Sequence, residues 1–416
     1  MLSKAFHQLK RQQYKDLLEP NSIGVVFAGA AKQEVGDEDY PFSVYRNFYY
    51  LTGYEKQGAV YVAYRGENEV HERLFIERPE PIRERYEGKM DTIEDIKEKY
   101  GIETAGYLDT FEGFANRLFA YGDYQTLYAD MEMMDLNNRQ EPVRQFVEKM
   151  KAAVPYLTVK NTYKALSKMR RIKEQDEIEA HRRACRVTGE GVRYMMQHIQ
   201  PGMMEYQAEA YFDFALKSKG CGHAFTTIAA SGINSCVLHY AENNKMMQDG
   251  ELILFDLGAS SNYYCADVSR TFPVNGTFTE RQKMLYNIVL KGLETAIALS
   301  KPGQNKDELQ EISKKVMAEE LMKIGMIEKP EDINPYYLHG SGHFIGLYTH
   351  DVGEDPSNLL TENMMFTLEP GLYFPDEKIG IRIEDTLLVT KDGCEVLTAD
   401  IPKTVEDIEA FMKGTN

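Results

Sequence analysis

Two aspartates eleven residues apart, Asp256 and Asp267, stand in residues 252–273, LILFDLGASSNYYCADVSRTFP, each beside an apolar, β-prone run. Gly258 and Ser260 to Asn262 supply a turn between the runs. If the runs pair as a hairpin, both carboxylates can share one sheet face, because strand side chains alternate. Adjacent carboxylates repel, and in an apolar setting such a pair needs a shared proton or a cation between the two groups. Taken alone, the pair reads equally well as two exposed turn residues.

A second constellation lies at residues 338–352, LHGSGHFIGLYTHDV, where His339, His343 and His350, three of the nine histidines, fall within twelve residues. Glycines at 340, 342 and 346 let the backbone bend and come close to a ligand. Imidazole serves at neutral pH as a metal ligand or as acid and base. Glu369 follows an apolar run and precedes Pro370-Gly371, which places it at a strand end where the chain turns. Glu384 stands in the alternating run IGIRIEDT, on the side of Arg382 and opposite Ile381 and Ile383. Singly, each reads as a structural histidine or a surface glutamate. Together, Asp256, Asp267, His343, Glu369 and Glu384 form a set of four carboxylates and one imidazole. Hard oxygen donors of this kind suit two divalent ions such as Mn²⁺ or Co²⁺ better than a thiolate or single structural zinc site. Ions about 3.5–4 Å apart can share bridging carboxylates and relieve the repulsion among four buried anions.

The elements that must position these groups form two blocks. In the first third, 23–27, 59–63 and 73–76 read as strands and 92–99 as a helix, an α/β domain. A basic, helix-prone stretch over 143–182 carries Lys168, Arg170, Arg171 and Lys173, which as a charge run reads as a solvated helix face. The domain boundary falls near residue 170, giving domains 1–170 and 171–416. In the second block, Pro201-Gly202 and Pro302-Gly303 each open a helical stretch, ending at Gly220 and Gly325, that leads to a histidine-bearing segment. This echo fits two similar halves facing each other across a shared sheet. Thr279 and Gln282 make a capping box ahead of a helix whose face Leu285, Ile288, Val289, Leu293, Ala296 and Ile297 belongs to the core.

The five candidate ligands, in this order, resemble the metal-binding pattern of the pita-bread metallopeptidases, the group that holds methionine aminopeptidase, prolidase and aminopeptidase P. The resemblance extends to residues 231–240, SGINSCVLHY, where His239 matches the family histidine ahead of the first aspartate. Upstream, RNFYYLTGY at 46–54 and LFIERP within 73–79 look like the amino-terminal domain of aminopeptidase P. The resemblance implies an α+β protein, with a carboxy-terminal pita-bread fold and a smaller α/β amino-terminal domain. It implies that Asp267 and Glu384 bridge two metals, that Asp256 holds one, and that His343 and Glu369 hold the other. A metal-bridging hydroxide is then the nucleophile and Glu369 the proton shuttle. By the same pattern His350 stabilises the developing oxyanion, while His239, His339 and Arg382 line a pocket for a proline ring, joined by Tyr373. The expected substrates are peptides with proline second, and the expected cofactor is two divalent ions, Mn²⁺ first, with Co²⁺ or Zn²⁺ as alternatives. Prolidase, restricted to Xaa-Pro dipeptides, is the competing reading. Methionine aminopeptidase normally lacks so large an amino-terminal domain. Creatinase dispenses with metal, and a non-catalytic pita-bread module would have lost ligands that are all present here.

Composition narrows the partners. The chain has 416 residues, enough for two or three domains at about 150 each. Its formal charge of −17 makes the surface repel nucleic acid and anionic lipid. No run approaches the length of a membrane span, and Met1 to Gln13 is polar. Five cysteines, odd in number and without a C-x-x-C pair, suit a reducing compartment, so the expected location is the cytoplasm. The family resemblance adds a homo-oligomer, dimer or tetramer.

Overall fold

The computed structural model describes residues 2–36, 38–132, 141–352 and 357–414. The chain divides into two compact units, Met1–Met169 and Arg170–Asn416.

The amino-terminal unit is built on a six-stranded mixed sheet ordered Ala105–Tyr107, Val70–Ile76, Val60–Arg65, Ser22–Phe27, Thr126–Ala129, Thr158–Asn161. Its three central strands run antiparallel and the outer ones join in parallel. All three expected strands are present, and the expected helix spans Ile93–Tyr100, with Thr92 and Asp95 exchanging capping bonds at its start. β-branched and aromatic residues fill the sheet's core, among them Val25, Val62, Phe75, Phe111 and Phe146. The RNFYYLTGY segment forms a helix, Arg46–Thr52, that stops where Gly53 turns left-handed at φ 68°.

The basic stretch departs from the expected solvated face. It forms two helices, Glu141–Ala153 and Tyr163–Arg171, with a strand between them. Arg170 and Lys173 have only 1% and 2% of their surface exposed. The Arg170 guanidinium is ion-paired with the buried Asp351 carboxylate, and this pairing replaces its hydration.

The carboxy-terminal unit repeats one pattern. Helix Gln175–His198 packs on Glu205–Ser218, and Glu280–Leu299 packs on Lys306–Lys323. The turns between the partners match. Gly202 (φ 91°) donates to the Met247 carbonyl at 2.8 Å, and Gly303 (φ 85°) to that of Leu360 at 2.9 Å. The capping box at Thr279 is formed, and Leu285, Val289, Leu293 and Ala296 lie in the core below. One half carries the sheet Ile228–Ser231, Leu252–Leu257, Val268–Pro273, and the other carries Met365–Leu368, Asp385–Val389, Cys394–Val396. A ribbon, Gly371–Phe374 with Ile379–Arg382, lies between the second sheet's first two strands in sequence.

The expected shared sheet is thus two three-stranded sheets laced together where the carboxylates sit. Asp267 N–H donates to Thr386 Oγ1 (3.1 Å), the Thr386 hydroxyl returns a bond to the Asp267 carbonyl (2.8 Å), and Glu384 N–H donates to the Ser269 carbonyl (3.0 Å). Arg270, 1% exposed, ties the seam by bonding the Glu384 carbonyl and the Asp385 carboxylate.

Candidate metal centre

Strands Leu252–Leu257 and Val268–Pro273 pair antiparallel with Asp256 opposite Ser269. Because side chains alternate, Asp267 lies on the same face as Ser269 and therefore as Asp256. The connection between the strands is more elaborate than the expected turn. A small hairpin, Ala259–Ser261 with Tyr264–Cys265, is inserted there, and it turns at Asn262 and Tyr263, with φ of 50° and 67°. Glu369 directly follows strand Met365–Leu368, as its Pro-Gly neighbours suggested. Glu384, read as part of an alternating strand, occupies the break between Ile379–Arg382 and Asp385–Val389; it is 1% exposed, so the surface reading does not apply. Both sides of that run are buried because the two sheets meet over it.

The five candidates reach this place from separate segments. The ligand atoms of Asp267, His343 and Glu384 lie within 4.8 Å of one another. His343 Nε2 is 3.3 Å from Asp267 Oδ2 and 3.8 Å from Glu369 Oε1. The ring's other nitrogen meets the Phe344 carbonyl at 3.1 Å. With Nδ1–H given to that carbonyl, Nε2 turns its lone pair towards the carboxylates. Asp256 Oδ2 is held 2.7 Å from Arg382 Nη2, and Ser269 donates to Glu384 Oε2 at 3.0 Å. The partner oxygens Asp256 Oδ1, Asp267 Oδ1 and Glu384 Oε1 are buried without a hydrogen-bond donor. Unsatisfied buried oxygens on three carboxylates, facing an imidazole lone pair, are a donor set that a divalent cation satisfies and neutral packing does not.

The electrostatics agree. Burial, then repulsion from Asp256 and Glu369, pushes the Asp267 carboxyl well above the usual range; burial and Asp267 do the same to Glu384. Burial holds the Glu369 carboxyl up at about 7 despite the opposing pull of His343 and Arg382. Without cations the cluster keeps protons to limit its charge, and divalent ions take over that role.

The flanking residues form a second group. His339 Nε2 is 2.7 Å from the Tyr373 hydroxyl, and Arg382 Nη1 donates to the same oxygen at 2.9 Å. Arg382 Nε reaches Ser269 at 2.9 Å, so each guanidinium nitrogen serves a protein acceptor and the side chain is 4% exposed. Burial and the Arg382 charge lower His339 to about 4, which keeps it neutral. His350 is exposed, its ring centroid 4.2 Å from that of His343, and its pKa is lowered by burial of part of the ring and by His343. His239 is exposed on the loop after Ser231, and its charge bears on both His339 and His350.

Sequence reasoning passed over the residues behind this group. Thr367 exchanges bonds with His343, accepting from its N–H on Oγ1 (3.2 Å) and donating its own N–H to the His343 carbonyl (2.8 Å). Lys306 and Gln310 both donate to the Gly342 carbonyl, at 3.2 and 2.8 Å. Thr367 and Thr386 carried a local signal, in that each is a polar side chain among apolar strand residues.

Residues 179–391 match the sequence profile of metallopeptidase family M24, and residues 7–128 that of the aminopeptidase P N-terminal domain. The chain belongs to metallopeptidase family M24, and its carboxy-terminal unit has the pita-bread fold. It is similar to the Xaa-Pro aminopeptidase of Escherichia coli (strain K12), at 33% identity over 99% of this chain and 98% of that one. Among solved structures, a Bacillus anthracis chain assigned as an aminopeptidase P superposes with a TM-score of 0.97 at 42% identity, covering 100% of this chain and 99% of the other. Zinc-substituted E. coli aminopeptidase P in complex with product superposes at 0.92 with 31% identity and the same coverage.

Proposed function

We propose that this protein is a metal-dependent Xaa-Pro aminopeptidase, which removes the first residue from peptides whose second residue is proline. The observation that carries the reading is the convergence of Asp256, Asp267, His343, Glu369 and Glu384, with three orphaned carboxylate oxygens, at the seam between the two sheets. The match to a Xaa-Pro aminopeptidase along 99% of the chain supports the substrate assignment.

In this reading two divalent ions would be held by Asp267 and Glu384 in common, by Asp256 on one side and by His343 with Glu369 on the other. Mn²⁺ is the first candidate, with Co²⁺ and Zn²⁺ as alternatives. Bound there, such ions supply an activated water near neutral pH and polarise the scissile carbonyl. The protein's own groups do the rest. Glu369, beside His343 in the cluster, takes up the proton released by the attacking water and delivers it to the prolyl nitrogen, which must gain one as the bond breaks. His350 donates to the developing oxyanion. His239, His339 and Tyr373 line the pocket for the pyrrolidine ring, while Arg382 supports that pocket from behind by fixing Tyr373 and Asp256. A Xaa-Pro bond has no N–H and a locked ring, so a site reading an extended backbone fits it poorly and a shaped pocket fits it well. Residues 1–170 are the aminopeptidase P-like domain and 171–416 the catalytic domain of a cytoplasmic homo-oligomer, a dimer or tetramer.

The discriminating experiment compares a Xaa-Pro-Xaa tripeptide with the matching Xaa-Pro dipeptide under Mn²⁺. Preferential cleavage of the tripeptide is expected; turnover of the dipeptide alone would make the enzyme a prolidase. Chelation should abolish activity. Full activity after metal stripping sinks the metal mechanism, and a folded protein that takes up no divalent ion would be a binding module instead.

A further inference from the structure

The proposed site uses His239, whose loop lies outside the strands and helices. That loop follows strand Ile228–Ser231 through a 3-10 turn, Gly232–Cys236, and runs on to Lys245. Strand contacts hold parts of it, Ser235 accepting from the Gly380 N–H (2.7 Å) and Asn243 from the Ala229 N–H (3.0 Å), and one buried carboxylate ties its two ends together. Glu205, the first residue of helix Glu205–Ser218, is fully buried and accepts from five donors of the loop. Ser231 supplies its N–H (2.6 Å) and its hydroxyl (2.8 Å), and Asn234 its amide (3.2 Å). Tyr240 supplies its hydroxyl (2.8 Å) and Lys245 its N–H (2.9 Å). Glu205 N–H in turn donates to the Lys245 carbonyl at 2.9 Å. The carboxylate therefore grips the loop at both ends and, through Tyr240, at the residue beside His239.

On the other side the same loop leans on the pocket. Leu238 and Tyr240 pack against the buried cluster that contains Tyr373, whose hydroxyl meets His339. His239 is thus framed between two fixed neighbours while its own ring stays exposed. The second half of the unit uses the same position. Lys306, the first residue of helix Lys306–Lys323 and 4% exposed, donates to the Gly342 carbonyl beside His343. A buried cation at a helix N-terminus opposes the helix dipole, so its retention there marks a task other than helix stability.

We infer that Glu205 is a positioning residue for substrate: by gathering Ser231, Asn234, Tyr240 and Lys245 onto one carboxylate, it sets the place of His239 at the proline pocket. This rests on the proposed role of His239. Glu205→Gln keeps the shape but replaces one acceptor oxygen by a donor, which then faces a backbone N–H of Ser231 or of Lys245, while Tyr240→Phe deletes only the bond beside His239.

The test measures kcat and KM on a Xaa-Pro-Xaa tripeptide with Mn²⁺-loaded enzyme, together with metal content and amide hydrogen exchange of residues 231–245 in the metal-free protein. Both variants should bind the wild-type amount of Mn²⁺, exchange faster in 231–245, and raise KM several-fold with a smaller change in kcat. In the double variant with His239→Ala, Glu205→Gln should add little to the KM increase that His239→Ala gives alone. If His239→Ala itself leaves KM unchanged, the pocket reading fails. If His239→Ala raises KM while the effects of Glu205→Gln multiply with it in full, or Tyr240→Phe leaves KM and exchange at wild-type values, the positioning role is overturned.

Discussion

Glu369 shows how one side chain acquires two functions from its surroundings. In the metal-free protein burial raises its carboxyl to about 7, and its oxygen lies 3.8 Å from the His343 nitrogen that shares the cluster. Glu369→Gln should lower kcat by roughly 10²–10⁴-fold, the usual worth of a positioned acid-base group, measured on a Xaa-Pro-Xaa peptide at saturating Mn²⁺. The same shift has a consequence for stability. Between the ordinary 4.5 and about 7, the folded chain binds more protons at Glu369 than the unfolded chain does, so stability falls as pH rises through that window. His181 pulls the other way. Burial and Lys173 depress it to about 3, so its contribution is lost as pH falls below 6.5. Comparison with Glu369→Gln separates the two. Metal-free wild-type protein should lose melting temperature relative to that variant between pH 4.5 and 7.5, and Mn²⁺ should remove the difference. A constant offset across that range would mean that Glu369 is not the perturbed group.

The histidine loop owes its shape to an internal anchor. Asp351 accepts from the Leu347 N–H at 3.2 Å, returns its own N–H to the Phe344 carbonyl at 2.9 Å, and is ion-paired with Arg170; both side chains are 1% exposed. The loop closes so tightly that a Cβ on Gly346 would come 1.9 Å from the Asp351 carboxylate. Breaking a buried pair from one side leaves an uncompensated charge, so Asp351→Ala should cost about 3–5 kcal/mol in denaturant unfolding. A surface pair would cost under about 1 kcal/mol, and a loss that small would refute the burial argument. The aspartate hairpin has its own constraint. At Gly258 a Cβ would sit 1.9 Å from the Ala266 carbonyl oxygen, one residue from Asp267, and a rigid backbone atom cannot yield as a side chain can. Gly258→Ala should therefore destabilise by about 1–3 kcal/mol and weaken metal uptake by displacing Asp267, both measurable on the purified variant.

For the molecule as a whole, the metal is a folding ligand. A species that binds the folded state alone stabilises it by about 2.7 kcal/mol at one hundred times its dissociation constant. The cluster belongs to the Arg170–Asn416 unit, and the amino-terminal unit has its own sheet and core. Mn²⁺ should thus raise the calorimetric transition of the carboxy-terminal unit, and chelation should lower it. An equal shift when Asp267 and Glu384 are both replaced by alanine would place the binding elsewhere. Among the described residues no helix is long and apolar enough to cross a membrane.

Much of this was legible along the chain. Strand alternation put Asp256 and Asp267 on one face, Pro-Gly put Glu369 at a strand end, and the paired Pro-Gly turns announced two similar halves, because these are local consequences of backbone geometry. Local patterns say nothing about partners more than a hundred residues away. Glu384 became a buried ligand candidate because the second sheet closes over the first. Arg170 and Lys173 went inside because Asp351 lies there to receive a charge, and Arg382 is buried because Asp256, distant in the chain, receives its charge. Residue type and spacing were enough to name the donors, since the chemistry of a carboxylate travels with it. Their common centre, the buried Lys306 and Thr367 that brace it, and the buried Glu205 that anchors the His239 loop came only from folding, which brings distant segments within hydrogen-bond reach.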